Sequence, residues 1–306
     1  MRRRPDVTLT QLRYFVTAAT YSSMTRAAEE LHIAQSAVSA AISQLEQQIG
    51  TQLFIRQRAR GLVLTAAGEE MLRDTTALLA HLGEVLDAAS GHVHTVRGTV
   101  RFACFVTLTP FVLPRLISDV GAAHPNLEVQ VAEMQADAIR TALRNGAAEL
   151  ALTYDLALGP GVETEVLGFA EPHVILPREH RFSDRTSVRL QELADESMIL
   201  LDLPDSRDYF ESILVAAGVV PDIRYRSASY ETVRGLVARG HGFSILNQRP
   251  VHNETYDGGQ VSVVAIDGDA PALPIVLARL QGVRSTARAR AVAAAARRIF
   301  GVPQES

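Results

Sequence analysis

The sequence contains no lysine, no tryptophan and a single cysteine. Cys104 alone cannot close an intramolecular disulfide, complete a thiolate metal cage or act as half of a redox pair, and one cysteine suits a reducing compartment. All thirty basic side chains are arginine, a composition that carries no mechanism by itself. Long apolar runs are also missing. No stretch reaches the roughly 18 uninterrupted apolar residues of a spanning helix, and Met1-Arg2-Arg3-Arg4-Pro5 is not followed by a signal-type apolar core. No membrane partner and a cytoplasmic location are therefore expected. Catalytic signatures are absent too. No GxGxxG or GxxxxGK[ST] opens a helix after a strand, and the serine of HGFSIL lacks the second glycine of an α/β-hydrolase elbow. His92 and His94 have no third ligand near them in sequence and read as polar hinge residues rather than a metal pair. We expect no enzyme, no metal and no cofactor.

What is present points to a folded chain of two or three domains: 306 residues, 47% hydrophobic and 21% charged. The net charge of -4 is unevenly spread. Residues 1–65 hold eight arginines against four acidic residues, and the remaining residues hold 22 against 30. A basic head on an acidic body suits a DNA-binding module joined to a domain of another kind.

In the head, Thr10–Thr20 reads as a helix with Leu12, Phe15, Val16 and Ala19 on one face. A second helix over Met24–His32 is capped by Ser23 and buries Ala27, Ala28 and Leu31. The stretch IAQSAVSAAISQLEQQIG then reads as a third. Ile33, Ala37, Val38, Ile42, Leu45 and Ile49 form its inward stripe, and Gln35, Ser36, Ser39, Ala40 and Ser43 point outward. Two short helices joined by a tight turn, the second with a small polar outer face, predict a helix-turn-helix whose second helix enters the major groove. Glutamine can pair bidentately with adenine, and serine with bases or phosphate. TQLFIRQRARGLVLTAAG supplies a hairpin wing with Arg56, Arg58 and Arg60 at alternating positions, suited to phosphates or the minor groove.

Thr65 caps a long connector helix in which Met71, Thr75, Leu78, Leu82, Val85 and Ala89 recur at heptad spacing, flanked by Leu72, Leu79 and Leu86. So broad an apolar stripe needs a partner, either its own domain or, the better reading, a second copy of the chain. Gly91 and Gly98 bracket a joint.

From residue 97 strands and helices alternate, which predicts parallel sheets of βαβ units, and the restart after Pro160 predicts two lobes. Ligands in such sheets sit beyond the carboxyl ends of strands, near helix amino termini. Position therefore selects Thr107, Thr109, Gln135, Tyr154, Asp202, Ser206, Arg207, Ser229 and Tyr230. Each hydroxyl alone also reads as a helix cap, and Arg207 as a surface partner of Asp205 or Asp208.

The stretches LRYFVTAATYSSMTRAAEELHIAQSAVSAAISQLEQQIGTQLFIR and GLVLTAAG resemble the winged helix-turn-helix of LysR-type transcriptional regulators. TPFVLPRLISDVGAAHPNLEVQV, LRNGAAELALTYD and VRGLVARGHGFSIL resemble the effector domain of the same family. The resemblance implies an α/β chain in three parts. Residues 1–65 would be an all-α-type winged helix-turn-helix head, 66–96 a dimerising linker helix and hinge, and 97–306 a two-lobed, periplasmic-binding-protein-like effector domain. Gln35, Ser36 and Ser39 would face bases or nearby phosphates, and Arg56, Arg58 and Thr65 would hold the backbone. Thr107, Gln135, Ser206 and Tyr230 would line the inter-lobe cleft. The implied partners are double-stranded DNA with an operator of imperfect dyad symmetry, a small and anionic effector, a second copy of the chain in a homodimer or homotetramer, and RNA polymerase as a further candidate. The competing readings are an effector-independent architectural DNA-binding protein, a transport solute-binding protein, which shares the body but not the head, and an enzyme using the α/β body, which the missing catalytic signatures disfavour.

Overall fold

The computed structural model of the chain describes residues 6–57, 61–89, 96–156 and 158–302. The head is α1 (Leu9–Tyr21), α2 (Met24–Leu31), α3 (Gln35–Ile49) and a hairpin of β1 (Phe54–Gln57) and β2 (Gly61–Leu64), followed by the connector α4 (Ala66–Ala89). Thr8 and Gln11 form a reciprocal capping box that starts α1, and Ser23 accepts from Arg26 N–H to start α2. Both helices end on a non-glycine residue in the left-handed region, Ser22 and His32, whose N–H groups close the last carbonyls. That turns the chain sharply enough to bring α3 across α1. Phe15, Ala18, Ala27, Val38, Ile42, Leu45, Leu53 and Leu72 make the head's own core, with the Phe15 and Phe54 rings 5.4 Å apart.

The body contains β3 (Gly98–Phe105), α5 (Thr109–Ala123), β4 (Leu127–Met134), α6 (Ala136–Arg144), β5 (Leu150–Tyr154) and β6 (Val162–Ala170). It continues with β7 (His173–Pro177), β8 (Ser187–Val188), a 3-10 turn at Leu190–Leu193, β9 (Ser197–Leu201), α7 (Pro204–Ala216), β10 (Asp222–Ser227), α8 (Tyr230–Ala238), β11 (Ser244–Leu246), β12 (Val261–Ile266), β13 (Leu273–Leu280) and α9 (Ala287–Phe300).

Lobe I is a five-stranded sheet in the order β4-β3-β5-β13-β6. Lobe II is the sheet β11-β7-β12-β8, joined to the parallel pair β9 and β10 by the Met198–Phe243 bridge. Gly242 permits that junction, because a Cβ there would meet Ser197 O at 2.0 Å and its φ is +145°.

Two expectations about the body are corrected. The sheets are mixed rather than parallel: β3 pairs in parallel with β4 and β5, but β13 is antiparallel to β5 and β6, and β7 is antiparallel to β11 and β12. The restart after Pro160 is also not the lobe boundary. β6 runs along β13 in lobe I from the Leu273–Ala170 pair to the Leu280–Val162 pair. The chain therefore crosses between lobes twice, after β6 and again after β12. Arg297 of α9 grips Glu165 of β6 through two hydrogen bonds of 2.6 Å, which holds the carboxyl below its usual range and ties the returning helix to lobe I.

Candidate DNA-binding face and effector cleft

On α3, Val38, Ile42 and Leu45 are buried and Ile49 is half-buried, a line of fourfold and threefold steps. Gln35, Ser36, Ala40, Ser43 and Gln44 are exposed, and Ser39 is half-buried. Ala37, assigned to the inward stripe, is exposed instead, because it sits about 100° around the helix from Val38. The N-cap, Ala34, has no side chain able to accept, so the first N–H groups of α3 stand free of a side-chain cap beside Gln35 and Ser36.

The wing is held against this helix by a residue sequence reasoning missed. Glu46 Oε1 accepts from Leu53 N–H at 2.7 Å and from Phe54 N–H at 3.1 Å. A carboxylate one turn before the end of a helix carries no sequence signature for that role. Arg56 lies in β1 opposite Leu62, while Arg58 and Arg60 fall outside the described residues.

Thr65 caps the connector helix as expected, and that role replaces the phosphate contact that the resemblance implied. Its hydroxyl donates to Gln52 O at 2.8 Å and accepts from Gly68 N–H at 3.0 Å, which leaves no proton for a phosphate. Gly68 is required beside it, since a Cβ would stand 2.2 Å from Leu53 O.

The connector stripe divides in two. Leu72 and Thr75 are buried, and Leu72 and Met71 pack into the head core. Further along, Leu78, Val85 and Leu86 are 51%, 49% and 58% exposed, with Leu79 and Leu82 half-buried. The first two turns thus belong to the chain's own head, and the later turns present uncovered leucines. His92 and His94 lie outside the described residues.

In the body, Thr107, Tyr154 and Tyr230 lie where the lobes meet. Thr107 Oγ1 donates to Tyr154 OH at 3.4 Å, and Tyr154 OH donates to Asn247 Oδ1 of lobe II at 3.5 Å. Burial pushes the Tyr154 phenol up to about 12 and also raises Tyr209 and Tyr230, which keeps all three neutral donors. The Tyr230 ring of α8 meets Phe111 of α5 edge-on at 5.8 Å, and its hydroxyl donates to Gln248 O. Arg140 of α6 and Asp205 of α7 pair across the lobes at 3.6 Å.

Of the hydroxyls that also read as caps, only Ser229 is one; it accepts from Thr232 N–H. The amino termini of α5, α6 and α7 have no N-cap side-chain bond; Thr107 and Ser206 leave α5 and α7 unblocked, whereas in α6, after Gln135, Asp137 Oδ1 accepts from Ala138 N–H at 2.8 Å. Ser206 is buried in the first turn of α7, which starts at Pro204. Thr109 is buried and turned inward: its hydroxyl donates to Phe105 O at 3.2 Å and also bonds Cys104.

Arg207 is corrected. It is a partner of neither Asp205 nor Asp208 and not a free carboxylate fork, because Asp202 holds it through both Nε and Nη2. Asp202 is accordingly committed to Arg207, with Arg226 at 3.7 Å on its other oxygen. Cys104 is fully buried in β3, and desolvation raises its thiol to about 11, which disfavours the reactive thiolate. Among the described residues no cluster of metal-ligating side chains occurs, and no helix is long and apolar enough to cross a membrane.

Residues 9–69 match the model of the bacterial regulatory helix-turn-helix protein, lysR family, and residues 94–301 that of the LysR substrate binding domain. The chain is 31% identical over 300 residues to a probable hydrogen peroxide-inducible genes activator of Streptomyces viridosporus, covering 97% of this chain and 95% of that one. It is 32% identical over 249 residues to the HTH-type transcriptional regulator CfxR of Cupriavidus necator, covering 79% of this chain and 76% of that one. Among solved structures it is similar to HinK, a LysR family transcriptional regulator from Pseudomonas aeruginosa, with a TM-score of 0.65, 34% identity and coverage of 96% and 99%. A full-length OxyR variant from Pseudomonas aeruginosa superposes with a TM-score of 0.75 at 25% identity, covering 95% and 98%.

Proposed function

Since the chain belongs to the LysR family of transcriptional regulators, we propose that a small anionic metabolite bound between the two lobes of its body controls operator binding by its head. The parts are residues 1–65 for DNA, 66–96 for dimerisation and 97–306 for the effector, working in the cytoplasm as a homodimer or homotetramer on an operator of imperfect dyad symmetry. Gln35, Ser36, Ser39 and Ser43 face the major groove in this reading, and Arg56, Arg58 and Arg60 hold phosphates at the wing. RNA polymerase is a further partner.

The observation that carries the effector assignment is the Thr107–Tyr154–Asn247 chain. Hydrogen bonds of 3.4 and 3.5 Å between oxygens are well beyond the ordinary roughly 2.7–2.8 Å. These buried donors gain by turning to a ligand oxygen. Uncapped amino termini of α5 and α7, one from each lobe, favour negative charge there. With Arg207 neutralised by Asp202, the anionic preference rests on helix ends and hydroxyls rather than on a guanidinium fork.

The peroxide signal named for some relatives fits this chain poorly. A reversible disulfide switch needs two thiols, and the sequence has one, buried and with a raised pKa. A non-covalent metabolite is the better reading. Thermal shift of the full chain against a library of carboxylates and hydroxy acids tests it. A hit should raise the melting temperature of the wild type and lose most of that effect with Thr107→Val. A hit that shifts both alike moves the site elsewhere.

A further inference from the structure

A second cavity, of about 450 Å³, lies where head, connector and body meet. Its volume is within the roughly 300–1,000 Å³ of small-molecule sites. Val16 and Leu31 of the head, Leu79 of the connector, and Leu143 and Leu280 of lobe I form apolar wall. Seven of the lining residues are arginines, and Glu149 is the lining carboxylate.

The charges do not balance. Arg101 and Arg288 share Glu149, and Arg279 leans on Glu163 and Ser285. Arg144 donates only to the neutral Pro160 carbonyl. The Arg13, Arg73 and Arg284 side chains make no hydrogen bond or ion pair among the described residues. Arg73 is half-buried while Arg13 and Arg284 are exposed, yet all three border one concave space whose apolar walls strengthen the field for any anion inside. One further atom in the same cavity lacks a partner: Thr76 Oγ1 is buried with no hydrogen bond.

We propose that this cavity is an anion site separate from the inter-lobe cleft, taking a small polyanion with at least two carboxylate or phosphate groups. Arg73 and Arg284 are its free forks, and Thr76 donates a hydroxyl. Because its walls come from three parts of the chain, the site is complete only when the head is docked on the body. That docking is marked by Thr20 Oγ1 donating to Asn145 O at 3.2 Å and Asn145 Nδ2 donating to Thr20 O at 3.4 Å. A ligand that binds only the docked arrangement stabilises it, and so constrains where the recognition helix points.

Isothermal titration of the full chain with pyrophosphate and with citrate, against acetate at matched ionic strength, tests the site and separates phosphate from carboxylate preference. We expect one polyanion per chain and no heat from acetate. Affinity should fall at least tenfold in Arg73→Gln/Arg284→Gln and a few-fold in Thr76→Val, and should be unchanged in Arg224→Gln, an exposed arginine elsewhere. Amide exchange around Thr20 and Asn145 should slow with the polyanion bound. Thr107→Val should retain the binding, and loss there would place the anion in the inter-lobe cleft and overturn the proposal. Absence of wild-type binding, or equal affinity in the double variant, would also overturn it. Should the double variant not fold, Thr76→Val and the exchange pattern decide alone.

Discussion

Thr107 and Tyr154 face each other across 3.4 Å of buried space, one in the turn after β3 and the other at the end of β5, with Asn247 of the second lobe completing the line. Thr107→Val removes a donor without changing shape. Effector affinity should weaken by about 0.5–1.5 kcal/mol, while operator affinity without effector stays as in the wild type. Titration calorimetry with any library hit reads the first, and fluorescence anisotropy of labelled DNA the second.

Gln35 stands exposed at the start of α3 beside uncapped N–H groups. A bidentate base contact there discriminates by about 1–3 kcal/mol. Gln35→Ala should lower affinity for the operator and leave affinity for random DNA nearly unchanged. If both fall together, the residue holds phosphate rather than reading a base.

The divided connector gives opposite outcomes for leucines on its early and later turns. Leu72 is buried in the head core, so Leu72→Ala should destabilise the head by about 2–5 kcal/mol. Leu78 and Leu86 are exposed in the single chain, so Leu78→Glu/Leu86→Glu should leave the secondary structure of the folded chain unchanged by circular dichroism. The same pair should sediment as monomers. A double variant that sediments with the wild type would show that these leucines do not form the dimer seam.

His173 opens β7 and is buried, with Nδ1 placed to donate to Glu171 O at 3.2 Å. Burial lowers its pKa to about 4, with Arg249 adding in the same direction. Above the unfolded value of about 6.5 both states are neutral and nothing changes. As pH falls from there toward about 4, the unfolded chain takes a proton that the folded one refuses, and stability drops by a few kcal/mol at most. Urea melts between pH 7 and 4 should show that slope, and His173→Gln should flatten it.

Much of this was legible in local pattern. The helix-turn-helix, the Thr65 and Ser23 caps and the alternation of strands and helices in the body follow from periodicity and capping residues. The pairing of β13 between β5 and β6 was not legible. Alternation names strands but not partners more than a hundred residues away. The Asp202 grip on Arg207 was hidden for a similar reason: several carboxylates lie within reach in sequence, and the turn into α7 decides among them. Glu46 was missed because a helical glutamate reads as solvated surface until the wing's free N–H groups are placed beside it.

The most direct test of the account is a DNase footprint of the full chain on the DNA fragment it enriches from genomic DNA, with and without a metabolite that stabilises it. The account predicts two protected half-sites related by an imperfect dyad, and a change in footprint length or hypersensitivity on adding the metabolite. Thr107→Val should show no such change at the same concentration. An identical wild-type footprint with and without the bound metabolite would contradict effector control and leave the body a structural domain.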